Sequence, residues 1–443
     1  MYDVIVCGGG TAGAAAAIKA AGLGARTLVV EELSGLGGTQ AMGWVTPMMP
    51  NYLGDRQLSG GVNLEIQQEH ARLKGETDFV HGQTWYDPVA VGLALERLAQ
   101  KAGAEMLFNA SVTGAMRTGQ RIEAVKLWTK GGETFLQAKM FVDATGDAEL
   151  GFLAGAEFES GDEDGRRQPT TLRFCVANVN IEQVIQFFGE DAKPNRVDFF
   201  SAGYGEAKDS RLKLPIEQAI ADGVLQEDDL GYFQIFTMHG RPNELAFNCP
   251  RLVGFDPLDG FSRTQALLIG REKINRIHQF CVRFIPGFSQ SYVSVIAPLL
   301  GVRETRRLVG NYRLTEHDHN SCQKFPNAIA RSRYPIDIHL TEGGIKIVRL
   351  PKDDYHEIPY GCIVAKGFDN LLMAGRNISA SFAAQSATRI QPVCRALGEA
   401  AGAAAAICAK KQIAAADLDY RELLPHIDLR VGLQPSAADE PFA

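Results

Sequence analysis

The chain opens on an apolar run, Met1-Tyr-Asp-Val-Ile-Val-Cys7, that stops at three glycines. An alanine-rich stretch from Ala14 to about Leu23 follows, then a second apolar run, Arg26 to Val30, ending on Glu31. This pattern predicts strand, glycine turn, helix and strand. Val62 to Lys74 has helical spacing. So does the stretch after Asp87-Pro88, where Asp can cap, Pro suits the first turn, and Val91, Leu95 and Leu98 share a face. Ala104 to Phe108 reads as a short strand. Residues 111–137 read as a β-meander, with Lys130-Gly131-Gly132 turning between Ile122–Thr129 and Glu133–Gln137. Lys139 to Asp147 reads as a buried strand ending in a glycine turn and an acid, with a helix after it. Residues 41–60 and 159–168 have loop composition. From 170 to 360 the pattern mixes strands with amphipathic helices, one of them around 263–284 and terminated by Pro286. Phe368 to Asn377 is again a strand entering a glycine turn. Pro392 to about Lys411 is a long helix of small residues, with Gly398 and Gly402 suited to facing a ligand or a close neighbour.

The strand–helix alternation at both ends and the mixed middle predict an α/β protein with a discontinuous domain. Residues 1–156 and 361–415 would form a Rossmann-like unit, a parallel sheet plus β-meander. Residues 157–360 would form an inserted mixed α+β substrate or cap domain, and 416–443 a C-terminal tail. The 443 residues are 45% hydrophobic and 22% charged, ample for a large core. A net charge of −7 gives no reason to expect nucleic acid or an anionic membrane as partner. The first strand begins at residue 2, which is read as leaving no room for a targeting peptide, and the apolar stretch 399–409 is too short to span a bilayer. Eight scattered cysteines without a C-x-x-C are read as buried free thiols in the cytoplasm, with no metal site.

Gly8-Gly-Gly10-Thr11-Ala12-Gly13 is a G-x-G-x-x-G placed between strand and helix, with an acid closing the second strand. Gly8 permits the tight turn, Gly10 a close approach of pyrophosphate, and Gly13 close packing of helix on strand. The helix N-terminus offers free N–H groups to phosphates, and Glu31 can accept from ribose hydroxyls. The motif alone leaves NAD and FAD open.

Four segments resemble the FAD-dependent oxidoreductase family of the glutathione-reductase-like, two-fingerprint flavoproteins, beside fumarate-reductase and heterodisulfide-reductase flavin subunits and thiazole-biosynthesis proteins. They are residues 3–39, Phe141-Val-Asp-Ala-Thr-Gly-Asp147, Gly301–Gly310 with Pro335–His339 and Glu357–Tyr360, and Asn370–Ala380 with Arg389-Ile-Gln-Pro392. The resemblance implies FAD, bound non-covalently. It places Gly8, Gly10, Thr11, Ala12 and Gly13 at the pyrophosphate, Glu31 at the AMP ribose, and Gly38 and Thr39 along the ribityl-diphosphate. Val112 would meet adenine through its backbone, Gly146 and Asp147 would lie near the pyrophosphate, and Gly375 and Arg376 near the ribityl chain. The helix start at Gln391 would point at the flavin. Many relatives carry Gly-Asp where this chain has Gly375-Arg376.

The implied activity is oxidation or reduction of a small organic substrate by hydride transfer at flavin N5, with an electron acceptor or donor that the sequence does not name. The alternative is a flavin-carrying electron-transfer subunit of a larger redox complex. A biosynthetic protein that consumes its dinucleotide is a third reading. A homo-oligomer is compatible with all three. Candidate catalytic residues are His339, whose ordinary pKa suits acid–base work, Arg303 and Tyr360. Arg303, Arg306 and Arg307 would cluster on one helix, binding a carboxylate or forming an internal ion-pair network with Glu304. His81 and Gln40 are weaker candidates.

Overall fold

The computed structural model describes residues 1–54, 56–75, 85–207 and 210–429; His81 and the end of the tail lie outside them. Strand β1 (Tyr2–Cys7) runs through a glycine turn into helix α1 (Thr11–Gly22), which returns to strand β2 (Thr27–Glu31). β1 pairs in parallel with β2 on one side and with residues 138–143 on the other. Glu105–Phe108 extends the sheet beyond β2, and Leu371–Met373 pairs in parallel with Phe141–Asp143. The apolar runs are buried on both faces, as parallel strands covered by helices require.

The meander differs from expectation in one respect. Gly132–Asp143 is a single long strand, whose first half pairs antiparallel with Arg121–Thr129 and whose second half enters the parallel sheet. Asn370 fastens this junction. Its amide accepts from Ile122 N at 2.9 Å and donates to Ile122 O at 2.8 Å and Lys139 O at 3.1 Å.

The helix Gln391–Lys411 crosses α1, and its small residues are a packing device. A Cβ on Gly398 would lie 2.0 Å from Ala12 O, and one on Gly402 2.2 Å from Ala16 O. Only glycine permits so close a backbone approach.

A second sheet of six antiparallel strands lies within residues 174–296. It packs with the 25-residue helix Gly260–Phe284, which Asp259 caps, around its own apolar core. Phe174, Phe188, Phe233 and Phe247 meet ring to ring there. Residues 308–365 include members of the first core, among them Leu308, Ile329 and Ile358, and so do Leu418, Leu423 and Ile427 of the expected tail. Among the described residues no helix is long and apolar enough to cross a membrane.

Arg303, Arg306 and Arg307 do not share a helix. Arg306–Leu308 is a strand paired antiparallel with Phe158–Ser160, a partner that local spacing cannot announce.

Candidate functional site

One long cavity runs from the glycine turn after β1 to the edge of the second sheet. Its near wall consists of Gly8, Gly10, Thr11 and Ala12, with Glu31 at the end of β2, Gly38 and Thr39, and Val112. Gly146, Asp147, Gly375, Arg376 and Gln391 continue the wall. Thr171, Arg173, Asn248, Arg303, Tyr334, Asp337, His339 and Arg389 form the far end.

Gly13 lies behind the wall. A Cβ there would stand 1.8 Å from Gly8 O, so glycine is required by the crossing of helix and strand. Gly10 differs. The nearest atom to a Cβ on it is Gly38 Cα at 4.0 Å, so the protein itself leaves that space open.

Both helices that begin at this cavity lack a side-chain cap. α1 starts after Gly10 and Gln391–Lys411 after Ile390, whereas Asp87, Asn180, Asp259 and Ser381 cap their helices by accepting backbone N–H bonds. Uncapped first-turn N–H groups and the positive dipole end suit negative charge. Glu31 accepts from Gly9 N at 2.6 Å through Oε2 and from Leu33 N at 2.9 Å through Oε1. Burial raises its carboxyl pKa above the usual range. Glu149, also on the wall, is pushed up to about 8 by burial and by Glu32, Asp147 and Asp143.

The Gly375-Arg376 turn finds its acid elsewhere. Arg376 Nη2 donates to Asp147 Oδ1 at 2.6 Å, joining the second and third glycine turns, and Thr305 Oγ1 donates to the same oxygen. The buried Nη1 of Arg376 has no hydrogen-bond partner among the described residues. Gln391 fastens the loop at 47–49, donating to Pro47 O at 2.9 Å and accepting from Met49 N at 3.4 Å.

The candidate catalytic residues separate. Tyr360 is away from the cavity, and its buried hydroxyl donates to Ala415 O at 2.9 Å. Gln40 is fully buried and accepts from Arg395 at 2.8 Å. Arg307 bonds to Glu304, Ala380 O and Gly161 O, and Arg306 donates to Asp147 O and covers Phe152. Both therefore fasten segments together. Arg303 alone of the three lines the cavity, with Nη1 donating to Pro169 O at 2.6 Å and Thr171 Oγ1 at 2.8 Å.

His339 lines the cavity at the end of Ile336–His339, which forms a hairpin with Ile345–Val348. Its environment overturns the expectation of titration near neutrality. Burial, and then Arg303, Arg389, Arg251 and Arg173, hold its pKa well below the ordinary value. Arg251 Nη2 stands 3.1 Å from Nδ1, and a guanidinium only donates, so Nδ1 accepts and the neutral ring carries its proton on Nε2. Nε2 is 3.8 Å from Asp337 Oδ1, and Tyr334 donates to Asp337 Oδ2 at 3.1 Å. Sequence reading missed Asp337, Arg173 and Arg389. Asp337 and Arg389 stood inside quoted segments, while nothing local marked Arg173.

The eight cysteines are all buried free thiols. Among the described residues no His, Cys, Asp and Glu grouping could hold a metal. These features fit an extended dinucleotide: glycine backbones facing an open space, two uncapped helix ends and an acid at the end of β2.

The sequence model of a family described as FAD dependent oxidoreductase matches residues 3–427. No curated protein sequence matches the chain. Similar solved structures include a geranylgeranyl bacteriochlorophyll reductase-like protein from Thermoplasma acidophilum, at 15% identity and TM-score 0.42, covering 96% of this chain and 82% of that one. A p-nitrophenol 4-monooxygenase from Pseudomonas putida has 12% identity and TM-score 0.47, with coverages of 97% and 85%. A flavin-dependent brominase has 12% identity and TM-score 0.47, with coverages of 96% and 82%.

Proposed function

The chain belongs to the FAD dependent oxidoreductase family, and on that premise we propose that it oxidises or reduces a small organic molecule at carbon. Bound in the cavity, FAD would supply the redox chemistry by hydride exchange with the substrate. The observation that carries the reading is one continuous cavity, lined at one end by the glycine turns and at the other by polar side chains that flank strands of the second sheet and by residues within 303–339. The two fingerprints, 8–13 and 141–147, support placement in the glycine-rich, glutathione-reductase-like superfamily. We assign 1–156 and 361–415 to the FAD-binding domain and 157–360 to an inserted substrate domain whose last part, from Leu308, packs into the first core.

Gly8, Gly10, Thr11 and Ala12 would hold the pyrophosphate at α1, with Gly13 setting the helix position. Glu31 would take the AMP ribose and Val112 the adenine. Gly38, Thr39, Gly146, Asp147, Gly375 and Arg376 would follow the phosphates and ribityl chain, and the uncapped helix at Gln391 the flavin ring.

At the far end, neutral His339 offers Nε2–H as a hydrogen-bond donor. Arg303 positions the substrate. Asp337, the carboxylate nearest His339, accepts or returns the proton.

Denaturing the purified protein tests the cofactor, because it should release FAD. Anaerobic mixing of the intact chain with small organic substrates then tests the reaction through loss of the flavin's visible band. A chain that holds FAD but changes redox state only with a protein partner would instead be the electron-transfer subunit.

A further inference from the structure

The far end of the cavity carries more cations than acids. Arg173, Arg251 and Arg303 form no ion pair among the described residues. Arg173 is buried, lines the cavity, and has one bond, from Nη1 to Trp44 O at 3.4 Å. Arg251 donates to His339, covers the Tyr232 ring at 5.1 Å, and keeps a buried Nε without a partner. Arg389 has a long pair to Asp337 at 3.9 Å. Arg173, Arg303 and Arg389 thus line this end with one carboxylate, Asp337, among them, while Arg251 stands behind His339.

The other end of the same cavity has a more acidic wall, with Glu31, Glu32, Asp147 and Glu149 alongside Arg376 and Arg263. Burying a charge without a partner is costly, and a guanidinium does not escape the cost by releasing its proton at neutral pH. Such a cluster is stable in a folded protein when an anion completes it. Its donors are also arranged for one. Arg303 is tethered through Nη1 to Pro169 O and Thr171 Oγ1, which leaves the Nε–Nη2 edge without a protein partner among the described residues. Two parallel N–H donors on one planar edge match the two oxygens of a carboxylate.

We propose that the substrate carries a carboxylate group, held by Arg303 and Arg173 with Arg389 completing the charge balance. This rests on reading the cavity as the active site, and it names the class of molecule that enters. Arg303 is the specificity-determining residue. Asp337 remains free of the carboxylate and available to the reacting carbon.

The test uses the purified full chain after incubation with FAD. Formate, acetate, succinate and benzoate are titrated against it, with succinamide, benzamide and inorganic phosphate as controls. Perturbation of the flavin's visible absorbance and the thermal unfolding midpoint are followed together. Expected is saturable perturbation and a raised midpoint with at least one acid, and none with its amide. Arg303→Gln should weaken that binding about ten- to a hundred-fold, as expected for loss of hydrogen bonds between charged groups. Arg303→Lys should restore only part of it, and Arg389→Gln gives an independent check if the Arg303 variants fold poorly. Equal binding of acid and amide, response to phosphate alone, or no response to any acid would overturn the proposal. The midpoint reports carboxylate binding whether or not FAD is held, so a colourless protein would refute the cofactor assignment while this inference is still decided.

Discussion

Arg251 Nη2 lies 3.1 Å from His339 Nδ1, and that bond decides which proton the imidazole carries. A ring held neutral by burial and by four nearby arginines is a poor proton shuttle, but its Nε2–H is a fixed donor. His339→Asn should therefore slow substrate-dependent flavin reduction about ten-fold, the effect of one hydrogen bond, with no change in the pH profile near 6.5. Rapid-mixing kinetics from pH 5.5 to 8 would measure it. A loss of about 10²–10⁴-fold would return His339 to general acid–base catalysis.

Gly10 and Gly13 make opposite predictions although they share one turn. Gly13→Ala puts a methyl group into Gly8 O and should lower the unfolding midpoint of the cofactor-free protein. Gly10→Ala meets nothing closer than 4.0 Å, so the cofactor-free protein should keep its midpoint while FAD retention falls sharply. Thermal denaturation with and without added FAD distinguishes them. Equal FAD content in wild type and Gly10→Ala would remove the pyrophosphate from this turn.

Tyr360→Phe should leave FAD content and flavin reduction unchanged. Its hydroxyl serves only Ala415 O, so the cost should be about 1 kcal/mol of stability, with the deserted carbonyl setting the upper end. Denaturant titration measures that cost. A kinetic defect without a stability defect would put Tyr360 back in the chemistry.

His356 should make the fold acid-sensitive. It is completely buried, neither ring nitrogen makes a hydrogen bond among the described residues, and burial, aided by His319, pulls its pKa down to about 3. The unfolded chain binds a proton below about pH 6.5 that the folded chain refuses. The stability associated with the neutral ring is therefore complete above that pH and declines as pH falls toward 3. From pH 7.5 to 5 the loss should be about 2 kcal/mol. His356→Leu should flatten the dependence of the unfolding midpoint on pH over that window. An unchanged slope would assign the acid sensitivity to other groups, such as His70, which is pulled to about 4 by burial and His239.

What could be read from the sequence was local. β1, α1 and β2 were legible because 30 adjacent residues carry strand periodicity, a glycine turn and a closing acid. The helix caps at Asp87 and the end at Pro286 follow from similarly short signals. Long-range pairings were not legible. Arg306–Leu308 is a strand because Phe158–Ser160 lies beside it, and Gln40 turns from the cavity because Arg395, 355 positions further along the sequence, reaches it. The neutral state of His339 depends on arginines from four separated segments, and no window around residue 339 contains them. Arg376 departs from the common Gly-Asp turn, and its compensation by Asp147 becomes visible only when the two turns meet.

The crossing of α1 with Gln391–Lys411 has a consequence for how the protein is made. The alanine face of α1 is covered by residues synthesised long after it, because Gly398 and Gly402 are the contacts that seat it. A nascent chain holding the complete fingerprint at residues 8–31 still lacks the helix that buries it. Contacts of such sequence separation form slowly, and an uncovered apolar face invites aggregation meanwhile. The fingerprint helix is therefore roofed only after Gln391–Lys411 has been made, so truncation anywhere before that helix leaves α1 uncovered.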